Sequence, residues 1–128
     1  MITIERKGFF KKTKRFFEGL KSYQIDDILD FYGQKGVEEL QKNTPVYTGL
    51  LQSSWYYKIE KDDENIWLIW CNDDIEDNGN VAILIQYGFT TNSGYRVEGR
   101  DYINPALKHI YKEIKRTVES EVKRLGTN

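Results

Sequence analysis

The sequence predicts an α+β domain in which a small antiparallel β-sheet packs against a long helix in the N-terminal half and a long C-terminal helix. Three observations predict it. Apolar residues recur at helical spacing from Ile25 to Leu40, and again from Leu107 to Leu125. Between these stripes, residues 55–71 carry two strand patterns around a charged turn. A sheet that is apolar on one face needs a helix to cover it, and the two stripes are the available covers. A chain of 128 residues is long enough to bury one real core, so residues 1–128 are expected to form a single domain. Residues 1–21 are expected to stand apart as a basic segment, a short helix or an arm.

In chain order, the stretch "KKTKRFFEGLK" can form a short amphipathic helix with Phe16, Phe17 and Leu20 on one side. Residues 23–42 are predicted to be helical, because Ile25, Ile28, Leu29, Tyr32, Gly36, Val37 and Leu40 fall on one face. Ser22 is the candidate N-cap, and Asp26 and Asp27 lie in the first turns, where the helix dipole favours acids. Gly33 and Gly36 each weaken the helix by about 1 kcal/mol relative to Ala, so they mark a kink or a close helix crossing. Pro45 stops the helix. A hairpin over residues 55–71 follows, with Trp55, Tyr57 and Ile59 alternating against Tyr56, Lys58 and Glu60. Residues Ile66 to Cys71 are apolar on both faces, as in a central strand. The run "NVAILIQYGF" fits either a strand or a buried helical turn, and Gly88 ends it in both cases. "TTNSGYRVEG" reads as a mobile polar loop. Asn104 as cap and Pro105 as first helical residue open a helix over 105–125, whose stripe is Leu107, Ile110, Tyr111, Ile114, Val118, Val122 and Leu125.

Composition narrows the function. Aromatic residues make up 14% of the chain, which suits packed surfaces better than disorder. The single Cys71 forbids an internal disulfide, and an intracellular origin is favoured. No stretch approaches the roughly 20 apolar residues of a membrane span. Net charge is −1, yet residues 1–21 carry seven Lys or Arg against two acids, and residues 60–77 carry eight acids against Lys61 alone. Such asymmetry can steer like subunits head to tail or lead different partners to opposite poles, against the plainer reading of two solvated segments.

No constellation for catalysis emerges. Cys71 and His109 are each single, so a zinc site would need a carboxylate-rich shell. His109 borders the C-terminal stripe and is read as a helix-surface or boundary residue; Cys71 is read as a small buried hydrophobe. The acidic run "CNDDIEDNGN" lacks the ligand alternation of a calcium loop, leaving an exposed acidic loop. "GFTTNSG" lacks the features of a phosphate cradle. No enzyme, metal or cofactor is expected. The run Lys11, Lys12, Lys14, Arg15, Phe16 and Phe17 could serve a small nucleic-acid-binding module, but a pI near 5.9 and the absence of a nucleic-acid motif speak against it.

Three stretches in order carry a resemblance: "TPVYTGLLQSSW" at 44–55, "VAILIQYGF" at 81–89 and "GRDYINPALKHI" at 99–110. Over about residues 22–125 the chain resembles the HK97 gp10-like family of bacteriophage tail-completion, or head-tail joining (neck), proteins. The motif residues are Thr44, Pro45, Val46, Thr48, Gly49, Leu51 and Ser54, then Gln86, Tyr87 and Gly88, then Asn104, Pro105, Ala106 and Leu107. Tyr47 stands where that family has Asp, and Gln86 where it has Glu. From the residues themselves, Thr44 and Thr48 can bond the backbone of a tight loop and Gly49 permits positive φ, so the first motif is expected to fix the helix against the sheet. The resemblance implies a virion assembly protein, made in the bacterial host cytoplasm. It would form a ring, of six subunits, at the end of the tail tube. Its partners would be further copies of itself, the tail tube protein and the head-completion or connector protein, with no membrane and no direct DNA contact. Lys11, Lys12, Lys14 and Arg15 on one side, and Asp62, Asp63, Glu64, Asp73 and Asp74 on the other, are the candidate interface residues.

Overall fold

The computed structural model describes residues 2–5, 9–12, 22–45, 49–76 and 79–126. Strands β1 (Ile2–Glu5) and β2 (Phe9–Lys12) form an antiparallel hairpin in which Ile2 faces Lys12 and Glu5 faces Phe9. The short helix expected from Lys11 onward does not begin there, because Lys11 and Lys12 belong to β2; its remaining residues, 13–21, lie outside the described residues.

Helix α1 spans Ser22–Asn43. Ser22 is its first residue rather than its cap, and Asp26 and Asp27 fall beyond the first turn. Pro45 follows as the stop, and Thr44 closes the end by donating both its amide and its hydroxyl to the Leu40 carbonyl. Gly49, at φ 83°, turns the chain into the one-turn helix α2 (Leu50–Ser53). The expected hairpin then appears as β3 (Trp55–Lys61) and β4 (Ile66–Asn72), with Trp55 opposite Asn72 and Lys61 opposite Ile66. Its turn is held by Asp62, whose carboxylate accepts from the amides of Glu64 and Asn65.

β4 is not central in a hydrogen-bonded ladder. Among the described residues its paired neighbour is β3 alone, although β2 runs close to it. Leu68, Trp70 and Asn72 are buried on one face, while Trp67, Ile69 and Cys71 on the other are only half-buried. The apolar second face therefore meant partial rather than full cover.

Beyond β4 come the two-residue strands β5 (Ile75–Glu76) and β6 (Gly79–Asn80), then α3 (Val81–Tyr87), so the ambiguous run is helical. The Asn80 side chain caps it by accepting from the Ile83 amide, and Gly88 ends it at φ 83°. The expected polar loop is a hairpin of β7 (Gly88–Thr90) and β8 (Arg96–Glu98), whose tip is closed by Thr91 and by Gly94 at φ 90°.

Helix α4 runs Ile103–Gly126, two residues earlier than expected. Asn104 and Pro105 lie inside the first turn, where amides have no intrahelical acceptor and a proline costs no hydrogen bond. Its buried stripe is Ile103, Ala106, Leu107, Ile110, Ile114 and Val118, packed on Ile25, Leu29, Val37 and Leu40 of α1. Burying each such aliphatic side chain stabilises the fold by about 1.5–3 kcal/mol. Tyr32 and Thr117 join the two helices through a 2.8 Å hydroxyl pair. The result is the predicted α+β arrangement, two long helices packed together and against small two-stranded sheets.

The glycines of α1 have a different use from a kink or a helix crossing. A Cβ on Gly33 would lie 2.4 Å from the Tyr57 ring, and one on Gly36 2.4 Å from the Trp70 indole. Two aromatic rings of the β3–β4 hairpin press onto the bare helix backbone, and Trp70 Nε1–H donates to the Gly33 carbonyl at 2.9 Å.

Candidate functional site

The motif residues are joints of the fold. In the first stretch, Thr44 is buried, and its hydroxyl oxygen accepts from Trp55 Nε1–H at 2.8 Å. That bond ties the end of α1 to the start of β3. Leu51 is buried, and its carbonyl accepts from the side-chain amide of buried Asn72 at 2.9 Å. Ser54 Oγ donates to the Leu50 carbonyl. Within this stretch Thr44 and Leu51 make the links to the hairpin, whereas Gly49 turns the chain and the Ser54 hydroxyl bonds back within α2; Val46, Tyr47 and Thr48 lie outside the described residues.

The second and third stretches meet at Gln86. Its side chain is buried, and Oε1 accepts from the amides of Tyr102 at 3.0 Å and Ile103 at 2.9 Å. Nε2 donates to Asp101 Oδ1 at 2.7 Å, and Asn104 Nδ2 donates to the same oxygen at 2.8 Å. A side chain from α3 thus caps α4, and Asn104 supports that cap rather than being it. Tyr102, buried, sends its hydroxyl back to the Ala82 carbonyl at 2.9 Å. Gly88 and Gly99 pass so closely that a Cβ on Gly99 would lie 2.5 Å from the Tyr87 carbonyl carbon. Ala106 and Leu107 are buried in the core, whereas Pro105 and Tyr87 are exposed.

Beside these joints lies a groove of about 560 Å³, within the range of binding cavities. Leu51, Val81, Leu84, Ile85, Phe89 and Val97 give it apolar walls, and Asp74, Glu76, Glu98 and Arg100 supply its charge. Arg96 stands near, its Nη2 donating to the Tyr87 carbonyl and its Nε 3.9 Å from Glu98. Sequence reading did not single out this groove, although one signal was present. A seven-residue helix buries one face, so five consecutive apolar residues, Val81 to Ile85, must leave some uncovered; only Ala82 among them is buried.

Compared with known proteins, the chain matches no family model, no curated protein and no solved structure.

The candidate interface charges divide. Asp62, Asp63 and Glu64 are exposed at the β3–β4 turn, and Asp73 is exposed beyond β4. Asp74 is buried, with 7% of its surface accessible, which corrects its assignment to an exposed acidic loop; its backbone bonds Asn72 and Val81, and its side chain lines the groove. Lys11 and Lys12 lie in β2, and Lys14 and Arg15 are outside the described residues. His109 is on the helix surface, paired with Glu113 at 2.8 Å. Cys71 is half-buried rather than buried, because it points to the less covered face of β4. There, foremost through Cys71 and then through partial burial and Asp73, the Tyr56 hydroxyl is pushed above its ordinary pKa.

Proposed function

We propose that this chain is a structural subunit of a bacteriophage virion, a tail-completion protein that forms a ring at the end of the tail tube and helps join tail to filled head. The observation that carries this reading is the use of the motif residues. The residues on which the resemblance rests serve as joints: Thr44 to Trp55, Leu51 to Asn72, and Gln86 to the first amides of α4. Residues shared for such a purpose set a frame, and leave the exposed loops to carry contacts with neighbours. The charge asymmetry supports a head-to-tail arrangement, in which each subunit offers unlike surfaces to its two neighbours.

Deleting the gene tests the reading. The expected outcome is DNA-filled heads and separate, complete tails that fail to join, with joining restored by supplying the chain from a plasmid. Joined particles in the deletion strain would overturn it. A gene neighbourhood of portal, head-closure and major tail protein genes is also expected.

A further inference from the structure

The groove beside α3 holds a carboxylate that the rest of the fold leaves unused. Only 7% of the Asp74 surface is accessible, and its side chain lines the groove. The main chain of Asp74 is held on both sides: its amide donates to Asn72 Oδ1 at 2.8 Å, and its carbonyl accepts from the Val81 amide at 3.0 Å. The carboxylate itself takes no hydrogen bond and no ion pair among the described residues. Arg100 lines the same groove without pairing with it. A carboxylate withdrawn from water and left without a donor is costly, and a bound cation relieves that cost.

Around Asp74 the groove has the anatomy of a protein interface, an apolar centre with a charged rim. Its six apolar side chains come from α2, α3 and the β7–β8 hairpin, and Glu76, Glu98 and Arg100 are exposed at the margin. Arg96, at the edge, is engaged by the Tyr87 carbonyl and by Glu98, so the charge left over is negative. A purely apolar occupant would leave Asp74 unpaired, and a bare cation would leave the walls uncovered. We propose that the groove docks an apolar segment of a partner protein that carries an arginine, with the guanidinium on Asp74 and the flanking apolar residues on Leu84, Ile85 and Val97. A guanidinium is more weakly hydrated than an ammonium and meets a carboxylate through two parallel hydrogen bonds, which suits a pair buried at an interface. The carboxylate is pinned before the partner arrives, so little ordering opposes the contact. The inference deepens the assembly reading, on which it rests for the source of the segment, a neighbouring virion protein.

Selection of short random peptides on the purified full-length chain tests it, followed by fluorescence polarisation with the enriched peptides. The enriched sequences are expected to set an arginine among apolar residues. Asp74→Asn should weaken their binding by about thirtyfold or more, as should replacing the peptide arginine by glutamine, and the two changes together should cost little more than either alone. Leu84→Ser, at a half-buried wall position, should also weaken binding with an unchanged circular dichroism spectrum. No peptide binding tighter than about 100 μM, or binding indifferent to both Asp74→Asn and Leu84→Ser, would overturn the contact. Self-association of the chain in sedimentation velocity that disappears in Asp74→Asn would put a second copy in the groove and overturn it too. Peptide binding is read on the purified chain and particle joining in the deletion strain, so the two proposals fail separately.

Discussion

At the scale of single residues, Gln86 does the most for its size. One amide oxygen satisfies two amides at the start of α4 and one amide nitrogen meets Asp101, so its neutrality is part of the design. Gln86→Glu would set a second carboxylate oxygen at the position now 2.7 Å from Asp101. It should cost about 1–3 kcal/mol, read as a lowered urea midpoint, and Asp101→Asn in the same chain should recover most of the loss. Tyr57 supplies a pH dependence. Burial, then its hydrogen bond to Asp30 and that residue's charge, raise its hydroxyl above the ordinary 10.0. The folded chain keeps a proton that the unfolded chain gives up, so this contribution is whole below about pH 10 and is lost as pH rises through the raised value. Tyr57→Phe should flatten the decline of the melting temperature above about pH 10 relative to the parent, and cost no more than about 1 kcal/mol at neutral pH.

Among the elements, α1 shows how a local rule reverses in context. Gly→Ala in a helix interior normally stabilises by about 1 kcal/mol. At Gly36 the new methyl would enter the Trp70 indole, so Gly36→Ala should instead destabilise by about 1–3 kcal/mol, measured by chemical denaturation, with the tryptophan fluorescence altered in the native state. The two long helices and the β3–β4 hairpin were legible because each has long, regular periodicity, with α1 stopped at Pro45 and the hairpin turned at Asp62. The hairpin at 88–98 was not, since three-residue strands in a polar stretch have too little pattern to register. The fate of "VAILI" was undecidable locally, because a short apolar run fits both periods; Asn80 as a cap and Gly88 at positive φ decide it. Asn104 and Pro105 looked like the start of α4 because both are good helix-start residues, but a cap from a distant strand of sequence moved the true start to Ile103.

At the scale of the whole molecule, α1 packs against both α4 and the β3–β4 hairpin, so the described core should melt as one unit. Far-ultraviolet circular dichroism and tryptophan fluorescence, which report helices and the hairpin respectively, should give coincident thermal transitions. Separate transitions would mean that the hairpin opens apart from the helix pair. Of the candidate site, the motif positions were visible in the sequence but their connections were not. Thr44 and Trp55 are 11 residues apart, while Gln86 and Ile103 are 17 apart. The amino-acid order by itself determined the fold class, the two long helices, the central hairpin and the unequal spread of charge, since periodicity, proline and glycine act over a few neighbouring residues. Only the tertiary structure decided that Gly33 and Gly36 serve aromatic rings, that Asp74 is buried, and that α3 leaves an apolar groove. Each of these depends on which surfaces meet across long stretches of chain, and no local pattern encodes the distance between surfaces.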